Sequence, residues 1–240
     1  MVPRYRHALI IGAGSGLSAA LARRFRQEGL AVSIAARDTA KLEALVAETG
    51  ATAFSCDAGD RASVAALFEA VDASSAGAAD VVVYNPSARV MGPLVELDPE
   101  KVAAAVGVTA LGAFYAAQEA ARRMSPDAGG AGHGAILFTG ASAGVKGFPR
   151  SATFAMGKFA LRGLAQSLAR ELHPQGIHVG HFVIDGGIRN PARPERVEAA
   201  DRPDSMLDPD AIAESYWHFL AQDRSVWAWE IELRPWVEKF

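Results

Sequence analysis

Residues 7–25 read HALIIGAGSGLSAALARRF. Five apolar or weakly polar residues run without alternation, then three glycines fall within five positions, then alanine and leucine recur at helical spacing. A continuous apolar run suits a strand covered on both faces, and the run that follows suits a helix. Glycines between them allow a sharp turn. A strand turning directly into a helix is the opening unit of a parallel sheet, and the rest of the chain repeats it.

Outward from this unit, AVSIAAR (31–37) reads as a second strand, after a first helix over 15–29 closed by Gly29. A helix over 38–50 follows, with Asp38 as its cap and Gly50 as its stop. Strands are expected at 51–57, 79–85, 135–140 and 176–184, with helices at 60–75, over roughly 98–124 and at 151–173. Asp208, with Pro209 at the first helical position, opens a last helix. AWEIELRPW (228–236) reads as a final edge strand. Three exposed indoles (Trp227, Trp229, Trp236) would be unusual there, so the tail should pack. The predicted architecture is α/β: a doubly wound, Rossmann-like parallel sheet of about seven strands with helices on both faces. No domain boundary is visible within 1–240. Residues 187–207, rich in proline and charge, form the one long loop, placed as a substrate lid would be.

The glycine turn carries the first chemical reading. Gly12, Gly14, Ser15 and Gly16, with Leu17 opening the helix, bring backbone N–H groups and a helix N-terminus to one point, which suits a diphosphate. Leu17 departs from the common dinucleotide fingerprint, which wants a small residue there. At the end of the second strand, Arg37 stands where an acid would hold a ribose 2′-hydroxyl. An arginine accommodates a 2′-phosphate, so NADP(H) is expected in preference to NAD(H), and S-adenosylmethionine is disfavoured.

With these residues in order, the chain resembles the short-chain dehydrogenase/reductase family over nearly its whole length. In the family's terms Gly12 and Gly16 match the glycine loop while Ser18 replaces its last glycine. Asp57 matches the aspartate near the adenine. Asn85 begins the turn after the fourth strand, which continues as Pro86 and Ser87. Asp185-Gly186 replaces a Pro-Gly pair after the sixth strand. The resemblance implies an oxidoreductase acting through Asn, Ser, Tyr and Lys. Lys158 matches the lysine, but Phe154 sits at the tyrosine, Thr109 at the asparagine and Ala141 at the serine, with Ser142 one place later. Only one of the four roles is kept in register, as in a divergent subgroup with phenylalanine at that position. Phenylalanine has nothing to titrate, and losing proton transfer typically costs about 10²–10⁴ in rate. Ser142, Tyr84, Asp185, Arg189 and Asn190 are the nearby candidates for a replacement donor. The implied function is therefore NADP(H)-dependent turnover of a small carbonyl or alcohol with a degenerate site, or nucleotide binding without turnover.

Composition excludes other classes. Net charge is −3 with 21% charged residues, which gives no footprint for nucleic acid. Cys56 is the only cysteine, so no internal disulfide can form. His178 and His181 would point to opposite faces of a strand, and no metal-ligand spacing occurs. No run of about 18 apolar residues is seen, so no membrane span is expected. The N-terminus lacks the look of a signal peptide, so a cytoplasmic protein is expected. Small-residue faces on the helices at 102–124 and 151–173 suggest a homodimer or homotetramer, as in the family.

Overall fold

A computed structural model describes residues 5–190 and 192–238. Its main strands are β1 His7–Ile11, β2 Ala31–Ala36, β3 Thr52–Ser55, β4 Val81–Tyr84, β5 Gly134–Thr139, β6 Ile177–Ile184 and β9 Glu230–Leu233. These seven lie parallel in one sheet, in the order β3-β2-β1-β4-β5-β6-β9. The order reverses between β1 and β4, which leaves a crevice at their carboxyl ends. The final strand joins the edge as expected, His181 pairing with Glu230 and Ile184 with Leu233.

Both faces are covered. On one side α1 (Leu17–Gln27) and α7 (Pro209–Leu220) pack over Ile10, Ile34, Val83, Leu137 and Phe182. On the other, α3 (Arg61–Asp72), α5 (Gly112–Met124) and α6 (Ala152–Leu172) cover Leu9, Val82, Ile136 and Phe138. This double burial is why the strands read as unbroken apolar runs. Helix α1 stops where glycine allows it: Gly29 has φ +84°, and the Leu30 amide reaches back to Phe25.

The structure departs from the sequence reading in several places. The helix expected over 38–50 is a 3₁₀ turn, Thr39–Leu42, followed by α2 (Glu43–Thr49); Asp38 still caps the turn and Gly50 still ends α2. The helical stretch Pro99–Met124 is α4 (Pro99–Val106), a π-turn at Gly107–Leu111 and then α5. The wide turn frees the Val108 carbonyl, which accepts the Tyr84 hydroxyl. Gly112 then lets the backbone close on the sheet, since a Cβ there would lie 2.1 Å from the Ala58 oxygen and 2.3 Å from the Tyr84 hydroxyl. This 26-residue stretch is also long and apolar enough, by length and composition, to cross a membrane. The sequence reading expects none; the difference arises because alanine raises mean hydropathy without making an unbroken apolar run. One face of the stretch, through Ala113, Ala116, Ala117 and Ala120, is buried against the sheet.

The 187–207 loop is not structureless. Its ends pair as β7 (Gly187–Ile188) and β8 (Met206–Leu207), and Pro194–Arg196 makes a 3₁₀ turn. His178 and His181 do face opposite sides of β6: His178 stacks between Phe219 and Trp227, while His181 hydrogen-bonds Glu230. Trp227 and Trp229 are half-buried, but Trp236 is 82% exposed because it lies beyond the end of β9.

Candidate functional site: a cleft at the strand ends

A cleft of about 830 Å³ opens over the carboxyl ends of the strands. Its floor draws on residues from the ends of β2, β3, β4, β5 and β6, so the topological crevice and the cavity coincide. Among the residues picked out from the sequence, Gly12, Gly14, Ser15, Gly16, Leu17, Arg37, Asp57, Asn85, Ser142, Phe154, Lys158 and Gly186 all line it.

The glycine loop is held by contacts that explain its residues. Gly12 has φ +81°, and a Cβ on it would meet the Pro86 ring at 2.8 Å. Proline in the turn after β4 thus leans on the glycine, and Gly12 has no room for a side chain. The Gly12 and Ala13 amides both donate to the Ala35 carbonyl at 2.9 Å. Gly14 faces open space. Helix α1 begins with no side-chain cap and no acid in its first turn, so its positive end meets the cleft uncompensated. Ser18, which replaces a glycine of the family's loop, ties two segments together. Its hydroxyl donates to the Gly12 carbonyl at 3.1 Å and accepts from Asn85 Nδ2 at 2.7 Å. From above, Asn190 Nδ2 donates to the Ser15 hydroxyl at 3.3 Å.

At the β2–β3 end, Arg37 is exposed and has no ion-pair partner among the described residues, whereas neighbouring Lys41 pairs with Asp38 at 3.1 Å. The Asp57 carboxylate is exposed and accepts the Gly59 amide at 2.9 Å. An unpaired guanidinium, a carboxylate, a bare helix N-terminus and an open Gly14 form a cradle that fits a dinucleotide.

At the other end, Lys158 is only 2% exposed, and its Nζ donates to the Thr139 carbonyl at 2.6 Å. Burial, then the positive charge of Arg89, brings its pKa down to about 7. Phe154, one turn earlier on α6, lies under the Arg89 guanidinium, whose carbon is 3.8 Å from the ring centroid; Lys158 Nζ is 5.9 Å away. The Ser142 hydroxyl has no protein partner among the described residues and opens on the cleft. Thr109 is buried, and its hydroxyl accepts the Ala88 amide at 3.1 Å.

Several suggested proton donors are not available. Tyr84 points into the core and spends its hydroxyl on Val108, and burial raises its pKa far above the usual phenol value. Asp185 is buried against Lys146 and Arg234, both at 3.2 Å, and Arg189 pairs with Asp208. Neither lines the cleft. Asn190 does line it, but its side chain is engaged by Ser15 and by the Ala192 amide.

A family model described as short chain dehydrogenase matches residues 6–199, more than three quarters of the chain. The chain belongs to the short-chain dehydrogenase/reductase family. Within that family, a short-chain dehydrogenase from Rhodopseudomonas palustris superposes with a TM-score of 0.80 at 34% identity, covering 98% of this chain and all of that one. A metagenomic short-chain oxidoreductase solved with NADP gives a TM-score of 0.80 at 25% identity, covering 97% of this chain and 98% of that one. Among curated proteins, the cyclic-di-GMP-binding biofilm dispersal mediator of Escherichia coli is 33% identical over 206 residues, 83% of this chain and 80% of that protein. The oxidoreductase asL5 of Sarocladium schorii is 33% identical over 174 residues, 72% of this chain and 68% of that protein. Short-chain dehydrogenases act on small molecules, and neighbours in the family bind NAD(P)(H).

Sequence reasoning missed Arg89, Arg193 and Arg196, which also line the cleft. Arg89 and Arg193 sit in irregular segments and Arg196 ends a single 3₁₀ turn, where no periodicity tells which way a side chain turns.

Proposed function

We propose that this short-chain dehydrogenase/reductase uses NADP(H) to interconvert a small carbonyl compound and its alcohol. In this reading residues 1–240 are one domain, with 187–207 as a cover over the substrate. The carrying observation is a single cleft that joins the glycine loop and the unpaired Arg37 at one end to Lys158, Ser142 and Phe154 at the other. Gly12, Gly14, Ser15, Gly16 and Leu17 would hold the diphosphate, Arg37 the 2′-phosphate, Asp57 the adenine side, and Asn85, Lys158 and Gly186 the nicotinamide half. A bound nicotinamide supplies the hydride, and solvent the proton, that turn a ketone into a secondary alcohol. Lys158 offers its donors to the ribose, Ser142 offers a hydroxyl to the substrate oxygen, and Phe154 walls the site without exchanging protons. A cytoplasmic setting and a homodimer or homotetramer belong to the same reading.

A second reading, nucleotide binding without turnover, is favoured by one residue: Phe154 leaves no titratable group where the family's tyrosine would stand. The relative from Escherichia coli is itself described as a binding protein and mediator.

Thermal-shift titration decides the coenzyme. NADPH at about 100 times its dissociation constant should stabilise the fold by roughly 2.7 kcal/mol, NADH less, and adenosylmethionine not at all. Equal shifts with NADH would remove the role given to Arg37. NADPH oxidation over a carbonyl panel separates the two readings, and Phe154→Tyr should raise any rate by at least tenfold. Binding with no oxidation by either protein would leave the non-catalytic reading.

A further inference from the structure

The nicotinamide end of the cleft holds more positive charge than its own residues explain. Arg89 and Lys158 lie there beside Phe154, Arg196 reaches it beside Gly187, and Arg193 lines the same cleft. The lining acids, Asp38 and Asp57, follow β2 and β3 at the other end. Arg89, Arg193 and Arg196 have no carboxylate partner among the described residues. Nearby acids are engaged elsewhere: Glu198 accepts the Met206 amide at 3.1 Å, Asp185 binds Lys146 and Arg234, and Asp208 binds Arg189. Glu195, between the two loop arginines in sequence, is exposed and pairs with neither.

Arg89 is also positioned. Its guanidinium lies over the Phe154 ring, which fixes the plane while leaving N–H donors free to meet a planar or tetrahedral oxyanion. Arg196 lines the same cleft, its guanidinium 3.6 Å from where a Cβ on Gly187 would lie; burial, then the charge of Arg196, holds the Arg89 pKa below the usual guanidinium value. Two guanidiniums without carboxylate partners in one cleft repel, and an anion bound between them reverses the sign of that interaction. In the dinucleotide reading, the diphosphate and the 2′-phosphate already have their partners in the glycine loop and Arg37. The charge left over falls to the substrate.

We propose that the substrate is an oxyanion-bearing carbonyl compound, a carboxylate or a phosphate monoester, held by Arg89 and Arg196. This rests on the cleft being the coenzyme and substrate site.

The test is calorimetric titration of the protein loaded with NADP⁺, which has no hydride to give a ketone, with benzoylformate and its methyl ester, and with dihydroxyacetone phosphate and dihydroxyacetone. The charged member of at least one pair should bind ten times more tightly than its neutral mate, and the pair that shows it identifies the oxyanion. Arg89→Met should bring that ratio close to one while NADPH affinity stays within twofold, and Arg89→Lys should recover part of it. Equal binding of acid and ester, and of phosphate and alcohol, overturns the proposal. So does a preference that survives both Arg89→Met and Arg196→Met. A tenfold loss of NADPH affinity in Arg89→Met also overturns it, since the guanidinium would then serve the coenzyme. If wild-type protein fails to bind NADPH, the oxidoreductase reading falls, and the same titrations without coenzyme still show whether an Arg89-dependent anion site exists.

Discussion

Lys158 is where residue chemistry and stability conflict most. An ammonium with one backbone acceptor and no counter-ion is costly inside a fold. Its folded pKa of about 7 lies below the unfolded value of about 10.4. Between those values the unfolded chain holds the proton and the folded chain does not, so this residue makes stability rise with pH across that window. Below pH 7 both states are protonated and the full penalty applies. Lys158→Met should therefore raise the melting temperature at pH 6.5, by several degrees in calorimetry, while weakening NADPH at least tenfold. Ribose hydroxyls favour the charged amine, so coenzyme binding at pH 8 should take up a proton. Calorimetry in buffers of different ionisation enthalpy reads that uptake, and its persistence in Lys158→Met would assign it elsewhere.

At the scale of elements, α5 and α6 carry what the rest of the fold leaves uncovered. Their inner faces use alanine to pack on the sheet, and Gly157 lets α6 close on the π-turn, since a Cβ there would meet Thr109 at 2.9 Å. Outward, α5 with the π-turn before it presents Leu111 and Phe114, and α6 presents Met156 and Phe159, all of them exposed. A cluster of large apolar groups of this kind marks a contact surface, and a second copy of the same helices fits the proposed oligomer. Phe159→Glu should shift sedimentation from dimer or tetramer to monomer with little change in melting behaviour of the isolated subunit. A wild-type protein that sediments as a monomer at micromolar concentration would end the proposal. The Tyr84–Val108 hydrogen bond belongs to this scale too: a phenol that looked like chemistry holds the π-turn that separates α4 from α5.

For the molecule as a whole, the pH response below neutrality is set by β6. Burial drives His178 and His181 to pKa values of about 4, the Glu230 carboxylate offsetting only part of the cost at His181. Unfolded histidine titrates near 6.5. Between pH 6.5 and 4 the unfolded chain binds protons that the folded chain refuses, so stability falls as pH falls, by on the order of 3 kcal/mol per ring. Denaturant midpoints should drop steadily across that window, and below about pH 4 the depressed carboxylates of Asp223 and Glu230 take over the decline. His178→Phe, which keeps the stack between Phe219 and Trp227, should flatten part of the slope. An unchanged slope would mean that other groups carry the acid response.

Much of this was legible in the residues. Unbroken apolar runs, alanine-rich helices and stops at Gly29 and Gly50 determined a doubly wound parallel sheet, because burial on two faces leaves a one-dimensional pattern. The glycine loop, Arg37, Asn85 and Lys158 were legible because strand ends in such a sheet converge on one edge, and the helix that carries Lys158 starts beside it. Only the tertiary structure decided what Ser18 holds, the retreat of Tyr84 into the core and the placing of Arg89 over Phe154. Those depend on where irregular segments turn and on meetings between distant residues, 24 positions apart for Tyr84 and Val108 and 67 for Ser18 and Asn85. Neither periodicity nor local propensity encodes such meetings.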